Sequence, residues 1–185
     1  MLGNKLKNYL YLHFVVFIWG FTAILGALIS IDAIPLVWYR MLLASIFIVV
    51  YFLLRKRSFQ IDRKTLLKFF FSGIIIALHW ITFFKAIKVS NVSVALVTMS
   101  TGAFFTSFIE PFFFKRKIKL IEILLGLMVV GGLYIIFSFE SQYTMGIVYA
   151  LISSFLGALF SVFNGLFVKK HDAELISLYQ LFFGS

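Results

Sequence analysis

The chain has 185 residues, of which 62% are hydrophobic and 19% aromatic, and its net charge is +10. A soluble domain of this size could not hide so much apolar surface, because its own exterior must stay largely polar. The composition therefore predicts an integral membrane protein. The basic residues form short clusters between apolar runs, which excludes nucleic-acid binding. Zero cysteines exclude disulfides and thiolate metal sites, and neither a cofactor nor a metal is predicted.

Six apolar runs are long enough to cross a bilayer, since a spanning helix needs about 20 mainly apolar residues. These runs cover residues 9–29, 35–54, 66–84, 92–114, 120–139 and 145–168. A seventh run begins near Leu175, and its roughly 11 residues up to Ser185 are too few to cross. We therefore expect an all-α polytopic membrane protein, and we expect the chain to be a fragment of a longer one.

The charges in the connectors predict the orientation. Most basic residues lie on one side of the membrane: Lys5, Lys7, Arg55, Lys56, Arg57, Arg63, Lys64, Lys68, Lys115, Arg116, Lys117, Lys119, Lys169 and Lys170. The connectors on the other side contain only Lys85 and Lys88, with Asp32 and Glu140. Because cytoplasmic loops carry the excess of Lys and Arg, the N-terminus is predicted to be cytoplasmic.

An internal repeat is indicated when the chain is compared with itself at an offset of 140 residues. The start of the second run then aligns with the start of the seventh, so that Tyr39 falls on Tyr179 and Arg40 on Gln180. Residues 1–140 would form a unit of five spans, and residues 144–185 would begin a second unit. An odd number of spans per unit gives inverted repeats, on which alternating access in many secondary transporters depends.

The fourth run contains one carboxylate, Glu110, directly before Pro111, where a kink is expected. Glu110 is either a structural carboxylate paired with the basic block that follows, or a gating or proton-coupling acid. Its position near the helix end favours the structural role. Ser100 and Ser107 share a wedge about 100° wide with Glu110, and this wedge either packs on a neighbouring helix or lines a wet cavity.

Arg40 and His79 are the other titratable candidates within the spans. Arg40 either extends to the outer headgroups or contacts a substrate carboxylate, and its shallow depth favours the headgroups. His79, near the middle of the third span, is either a hydrogen-bonded packing residue or part of a proton-coupling path. The first role is the commoner one for a single buried histidine.

Several uncharged residues are candidates for the substrate path. Trp19, Tyr39 and Trp80 are possible aromatic walls of a cavity, although most aromatic residues in a protein this rich in Phe face lipid. Asn164 is a polar group deep in the sixth run and needs a protein or water partner.

Motifs along nearly the whole chain resemble the EamA branch of the drug/metabolite transporter superfamily. They are Trp19-Gly20, Pro35 with Tyr39-Arg40, FFKAIKVSNVSVALV (83–97), Glu110-Pro111, GLMVVGGLYII (126–136), GIVYALISSFLGALFSVFNGLFVKK (146–170) and LYQ (178–180). One departure is Lys115-Arg116-Lys117, in a turn where the family often has Gly-Glu. The resemblance implies ten helices in two five-helix repeats and export of a small metabolite, such as an amino acid, from the cell across its inner membrane.

Two other functions compete with secondary transport. An intramembrane protease would need a GxSG-like serine or an HExxH motif, and the chain contains neither, so we do not expect an enzyme. A non-transporting fragment or a subunit that depends on a partner chain is the second alternative. The expected partners are the lipid bilayer and a small-molecule substrate, and a homo-oligomer is left open.

Overall fold

The computed structural model describes the backbone of residues 2–185 and the side chains from Lys5 onward. The N-terminal residue Met1, which the charge pattern predicts to be cytoplasmic, lies outside the described residues. The described residues form helices and connectors without a strand. The eight α-helices are α1 (Leu2–Leu28), α2 (Ala33–Leu54), α3 (Arg63–Val89), α4 (Val92–Met99), α5 (Gly102–Phe114), α6 (Leu120–Phe139), α7 (Thr144–Phe167) and α8 (Ala173–Gly184). The predicted all-α polytopic class is confirmed.

Within the described residues, six segments are long and apolar enough to span a membrane. They are Lys5–Leu28, Ala33–Leu54, Arg63–Val89, Val92–Phe114, Leu120–Phe139 and Ser141–Phe167. Each coincides with one of the predicted runs. The helix α8, with 12 residues, covers the start of the predicted seventh run.

Local hydrogen bonds explain where several helices begin. The carboxylate of Asp62 accepts hydrogen bonds from the backbone N–H groups of Lys64 and Thr65 at the start of α3. The side chain of Asn91 accepts one from Val94 at the start of α4. These acceptors satisfy N–H groups that have no partner within the first turn of a helix.

The sequence predicted one helix over residues 92–114, but the structure divides this fourth span into two helices. It tightens at Ser100 and Thr101, which separate α4 from α5. The N–H of Thr101 bonds to the carbonyl of Thr98, three residues earlier, and the hydroxyls of Ser100 and Thr101 bond to the carbonyls of Val97 and Thr98. Hydroxyl groups that bond to nearby carbonyls compete with the regular helical ladder. The helix α5 itself continues through Pro111.

The two ends of the helix bundle are defined by contacts between connectors. At one end the ammonium of Lys88, near the end of α3, donates to the carbonyl of Ile29 after α1 (2.9 Å). Gly146, at the start of α7, packs directly against Ser90 at the same end. Because α1 finishes where α7 begins, the two helices run in opposite directions.

At the opposite end of the bundle, the connector after α2 contacts the connector before α8 and the helix α8 itself. Arg57 forms an ion pair with Asp172 (2.6 Å), and the hydroxyl of Tyr179 donates to the carbonyl of Phe59 (2.6 Å). The helices α2 and α8 are therefore also antiparallel. Both connectors lie on the side that the positive-inside pattern predicts to be cytoplasmic.

The helix α3 lies at the centre of the bundle and packs against α2, α7 and α8. Its buried residues include Phe69, Ser72 and Phe84, each almost completely shielded. The helix α6 is peripheral: Gly126 is its one buried residue, and it lies against Phe104 of α5. The polar chemistry described below is accordingly concentrated around α3.

Candidate functional site

A cavity of about 620 Å³ lies among α1, α2, α3, α4, α5 and α7. Its volume is in the range of small-molecule binding sites. The lining residues are Val16, Trp19, Gly20, Thr22, Arg40, Ile76, His79, Trp80, Phe83, Phe84, Leu96, Met99, Gly102, Thr106, Ser154, Gly157, Ala158, Phe160 and Ser161. Four of the candidates named from the sequence are brought together here, namely Trp19, Arg40, His79 and Trp80.

Arg40 is turned toward α3. Its guanidinium carbon lies 5.1 Å from the ring centroid of Trp80 and 4.9 Å from that of Phe84. These rings are four residues apart on α3 and therefore share one helical face. A guanidinium at such distances from two aromatic rings is attracted by their electron-rich faces. Arg40 thus lines the cavity and contacts two rings of α3.

A smaller cavity of about 220 Å³ lies on the α1–α2 side of the same arginine. It shares Thr22, Arg40 and Phe84 with the larger cavity and adds Gly26 and Leu36 to the wall. Gly26 packs directly against the ring of Phe84, so the ring approaches α1 where no side chain obstructs it. Arg40 therefore lines both the larger and the smaller cavity.

His79 is held against α7 by Ser153. Its Nδ1 lies 2.8 Å from the carbonyl oxygen of Ser153, and the Ser153 hydroxyl donates to the carbonyl of His79 (2.8 Å). A carbonyl oxygen only accepts hydrogen bonds, so Nδ1 carries a proton, and Nε2 is an acceptor whenever the ring is uncharged. Nε2 has no hydrogen-bond partner within residues 5–185, and the ring lines the cavity.

Gly157 makes this position of His79 possible. A β-carbon at residue 157 would lie 2.9 Å from Cε1 and 3.0 Å from Nδ1 of the imidazole. Both distances are shorter than ordinary van der Waals contact. The absence of a side chain at Gly157 therefore lets the ring of His79 approach α7 this closely.

Five of the sequence candidates lie outside the cavity lining. Tyr39 is exposed and packs edge-on against Trp38. The hydroxyls of Ser100 and Ser107 bond to carbonyls of their own chain segment, those of Val97 and Phe104. The fourth span lines the cavity instead with Leu96, Met99, Gly102 and Thr106.

Asn164 and Glu110 each have a protein partner away from the cavity. The amide oxygen of Asn164 accepts a hydrogen bond from Gln180 (2.7 Å), which also donates to Ser72 (2.8 Å). Glu110 forms an ion pair with Arg116 (3.0 Å). This ion pair is the arrangement that the structural interpretation of Glu110 predicted.

Arg116 also contacts Glu122 in the first turn of α6, at 2.9 Å. The pKa of the Arg116 guanidinium is raised above its ordinary value, first by the hydrogen bond to Glu122 and then by that to Glu110. One guanidinium therefore links the end of α5 to the start of α6. Pro111 is buried in α5 one residue beyond Glu110.

The sequence analysis did not identify Phe84, Thr106, Ser154 and Ser161 as lining residues. A signal for α7 was present, because Ser154, Gly157, Ala158 and Ser161 follow the spacing of one helical face. For Phe84 no such signal exists, since the chain contains 25 phenylalanines.

These helices define a multi-pass membrane protein with a cavity of small-molecule size among them. The model of the EamA-like transporter family matches residues 6–138, and the chain belongs to that family. No curated protein and no solved structure matches the chain. The resemblance noted in the sequence is thereby confirmed, and the protein is of a drug/metabolite transporter type.

Proposed function

We propose that the protein exports a small metabolite, such as an amino acid or a related compound, by alternating access. The observation that supports this proposal is the cavity of about 620 Å³, to which α1, α2 and α3 contribute Trp19, Arg40, His79 and Trp80. Polar groups within a membrane span are costly unless they face protein or water. Their convergence on one space is what a substrate site inside the bilayer requires.

We further propose that residues 1–140 form one repeat and that residues 144–185 begin an inverted second repeat. Alternating access follows from this arrangement. The antiparallel directions of α1 and α7, and of α2 and α8, support it, because corresponding helices of inverted repeats run in opposite directions. The counterparts Arg40 and Gln180 differ in environment: Arg40 lines the cavity, whereas Gln180 is buried in hydrogen bonds between helices. The two halves would therefore contribute unequally to substrate binding.

We place the protein in the inner membrane with a cytoplasmic N-terminus. The chain contains no cysteine, so single cysteines can be introduced without background labelling. A membrane-impermeant maleimide added to intact cells should label the variant Glu140→Cys and spare Lys56→Cys. The reverse pattern would contradict the orientation.

Transport itself can be tested in proteoliposomes by uptake and efflux of labelled amino acids and amines, with and without a pH gradient. The informative variant is Ser161→Trp, which places a bulky ring in the cavity lining. The matched control is Ser138→Trp on α6, where Ser138 is exposed and bonds only to the carbonyl of Tyr134 in its own helix. We expect Ser161→Trp to abolish transport and Ser138→Trp to retain it. Rates equal to those of empty liposomes for every compound would argue against the function.

A further inference from the structure

Among the residues whose side chains the structure describes, Arg40 is the one cationic side chain that lines the larger cavity. Its guanidinium forms no ion pair and no hydrogen bond with any protein group in the described part of the chain. Arg57 and Arg116, by contrast, form ion pairs with carboxylates near the ends of helices. Arg40 is thus a charged group inside a span whose five N–H donors have no protein acceptor.

Trp80 and Phe84 position this guanidinium without using its donors. Their ring faces attract the positive charge, while the N–H groups in the guanidinium plane stay free. A planar guanidinium with free donors matches the two oxygens of a carboxylate, which it binds through two parallel hydrogen bonds. An anion in the cavity would supply the acceptors that the protein does not.

The remaining lining chemistry agrees with an anionic ligand that has an apolar body. Neither aspartate nor glutamate is among the described lining residues, so a ligand ammonium group would find no carboxylate there. Aromatic surface in the lining comes from Trp19, Trp80, Phe83 and Phe160. Nε2 of His79 and the hydroxyls of Thr106 and Ser161 are left for neutral polar groups of the ligand.

We propose that the cavity selects a small carboxylate monoanion with an aromatic or apolar body, bound by Arg40, whose guanidinium contacts the rings of Trp80 and Phe84. One guanidinium matches one negative charge, which favours a carboxylate over a phosphate dianion. The inference rests on the proposed transport function, because it names the substrate class of the same cavity. It also narrows that function, since an acid without an ammonium group fits this lining better than a zwitterion does.

The first test compares three probes of nearly equal size on the purified 185-residue chain in detergent or nanodiscs. Benzoate is the anion, benzamide is its neutral isostere and benzylamine is the cation. Binding is measured by calorimetry and by quenching of tryptophan fluorescence, to which Trp19 and Trp80 in the lining contribute. We expect benzoate to bind at least about tenfold more tightly than either of the others. Equal affinities for the three probes, or tighter binding of benzylamine, would overturn the proposal, and this comparison needs no variant.

The second test removes the charge. We expect Arg40→Gln to weaken benzoate binding about tenfold or more while benzamide binding stays unchanged, which also shows that the variant is folded. Arg40→Lys should recover part of the affinity for benzoate, because it keeps the charge without the planar fork. The matched control is Lys85→Gln, which removes one positive charge from an exposed position outside the lining. Benzoate affinity that falls equally in Lys85→Gln and Arg40→Gln would show general surface attraction and overturn the proposal.

Transport measurements separate this inference from the function on which it rests. Benzoate that binds in an Arg40-dependent manner but is not moved in proteoliposomes would uphold the site and contradict the transport function. Transport of benzamide or benzylamine without transport of benzoate would uphold the function and overturn the anion preference.

Discussion

His79 and Ser153 are joined by reciprocal hydrogen bonds between α3 and α7. The imidazole Nδ1 lies 2.8 Å from the carbonyl oxygen of Ser153, and the Ser153 hydroxyl lies 2.8 Å from the carbonyl oxygen of His79. Ser153 is fully buried, so the bonds are shielded from solvent. They fix which nitrogen of the cavity-lining ring carries a proton, and they hold together α3 and α7, two of the helices that line the cavity.

Replacing Ser153 by Ala should destabilise this helix pair. The substitution removes the hydroxyl that bonds to the His79 carbonyl from α7 and leaves only the Thr82 hydroxyl within α3. Hydrogen bonds between helices in membrane proteins contribute about 1 kcal/mol. The apparent melting temperature in detergent should therefore fall. Ser138→Ala is the control, because the Ser138 hydroxyl bonds only within its own helix and is exposed. Equal melting temperatures for the two variants would contradict the role of Ser153.

Gly157→Ala should displace His79 and destabilise the protein. Alanine is favoured over glycine in a helix by about 1 kcal/mol, so propensity alone predicts a gain. The new β-carbon would nevertheless lie 2.9 Å from Cε1 of His79, which forces the ring away from its partner Ser153. We expect a lower melting temperature and a smaller cavity accessible to ligand.

The control for this prediction is Gly131→Ala on α6, where no atom lies within 4 Å of the added carbon. There the propensity gain should remain, so stability should be unchanged or slightly higher. A stabilising effect at both positions would show that the contact between Gly157 and His79 is loose.

Arg116→Gln should loosen α6. The guanidinium bridges Glu110 of α5 and Glu122 of α6, while α6 has few other contacts with the bundle. Hydrogen exchange of the backbone amides in residues 119–126 should become severalfold faster. Lys117→Gln is the matched control, since Lys117 is exposed and carries the same charge in the same connector. Identical exchange in the two variants would mean that the bridge does not hold α6.

The pH dependence of this bridge follows from the direction of the pKa shift. The pKa of Arg116 is raised above an ordinary value at which arginine is already charged throughout the physiological range. A cation with a raised pKa contributes its stabilisation below that value and loses it only as the pH rises through it. We therefore expect no loosening of α6 between pH 7 and 10, whereas high salt should weaken the exposed part of the interaction.

Asp62→Ala should fray the start of α3, and acidification should have the same effect on the native chain. The pKa of Asp62 is lowered by hydrogen bonds from the side chain and then the backbone of Thr65, and by the N–H of Lys64. A carboxylate with a lowered pKa stabilises the fold above its unfolded value, and that contribution is lost as the pH falls through the folded value. Amide exchange in residues 63–66, corrected for the intrinsic rate, should increase as the pH falls below about 4.

Asp32→Ala is the control for the cap. Asp32 precedes α2 in an equivalent position, but its side chain makes no capping hydrogen bond. Exchange at the start of α2 should therefore change less than exchange at the start of α3. Equal effects at both helices would indicate that charge, and not the hydrogen bonds of Asp62, is responsible.

The spans and their chain order could be predicted, whereas the side of each helix that faces the cavity could not. In water, a helix shows which side is buried by its apolar stripe. In a membrane both lipid and protein interior accept apolar residues, so this signal fades. The polar wedge of Ser100, Ser107 and Glu110 was the best indication for the fourth span. The cavity is instead lined from the neighbouring face, by Met99 and Thr106 among others.

Apolar run length and charge distribution in the sequence determined the class of protein, six of its membrane spans and the grouping of its basic connectors on one side. Each of these depends on short stretches of chain and on the cost of exposing apolar or charged groups in the wrong solvent. Tertiary structure alone decided that Arg40 of α2 contacts Trp80 and Phe84 of α3, and that His79 bonds to Ser153, which lies 74 residues further along the chain. Such contacts depend on the rotation of each helix about its axis, which packing against its neighbours sets.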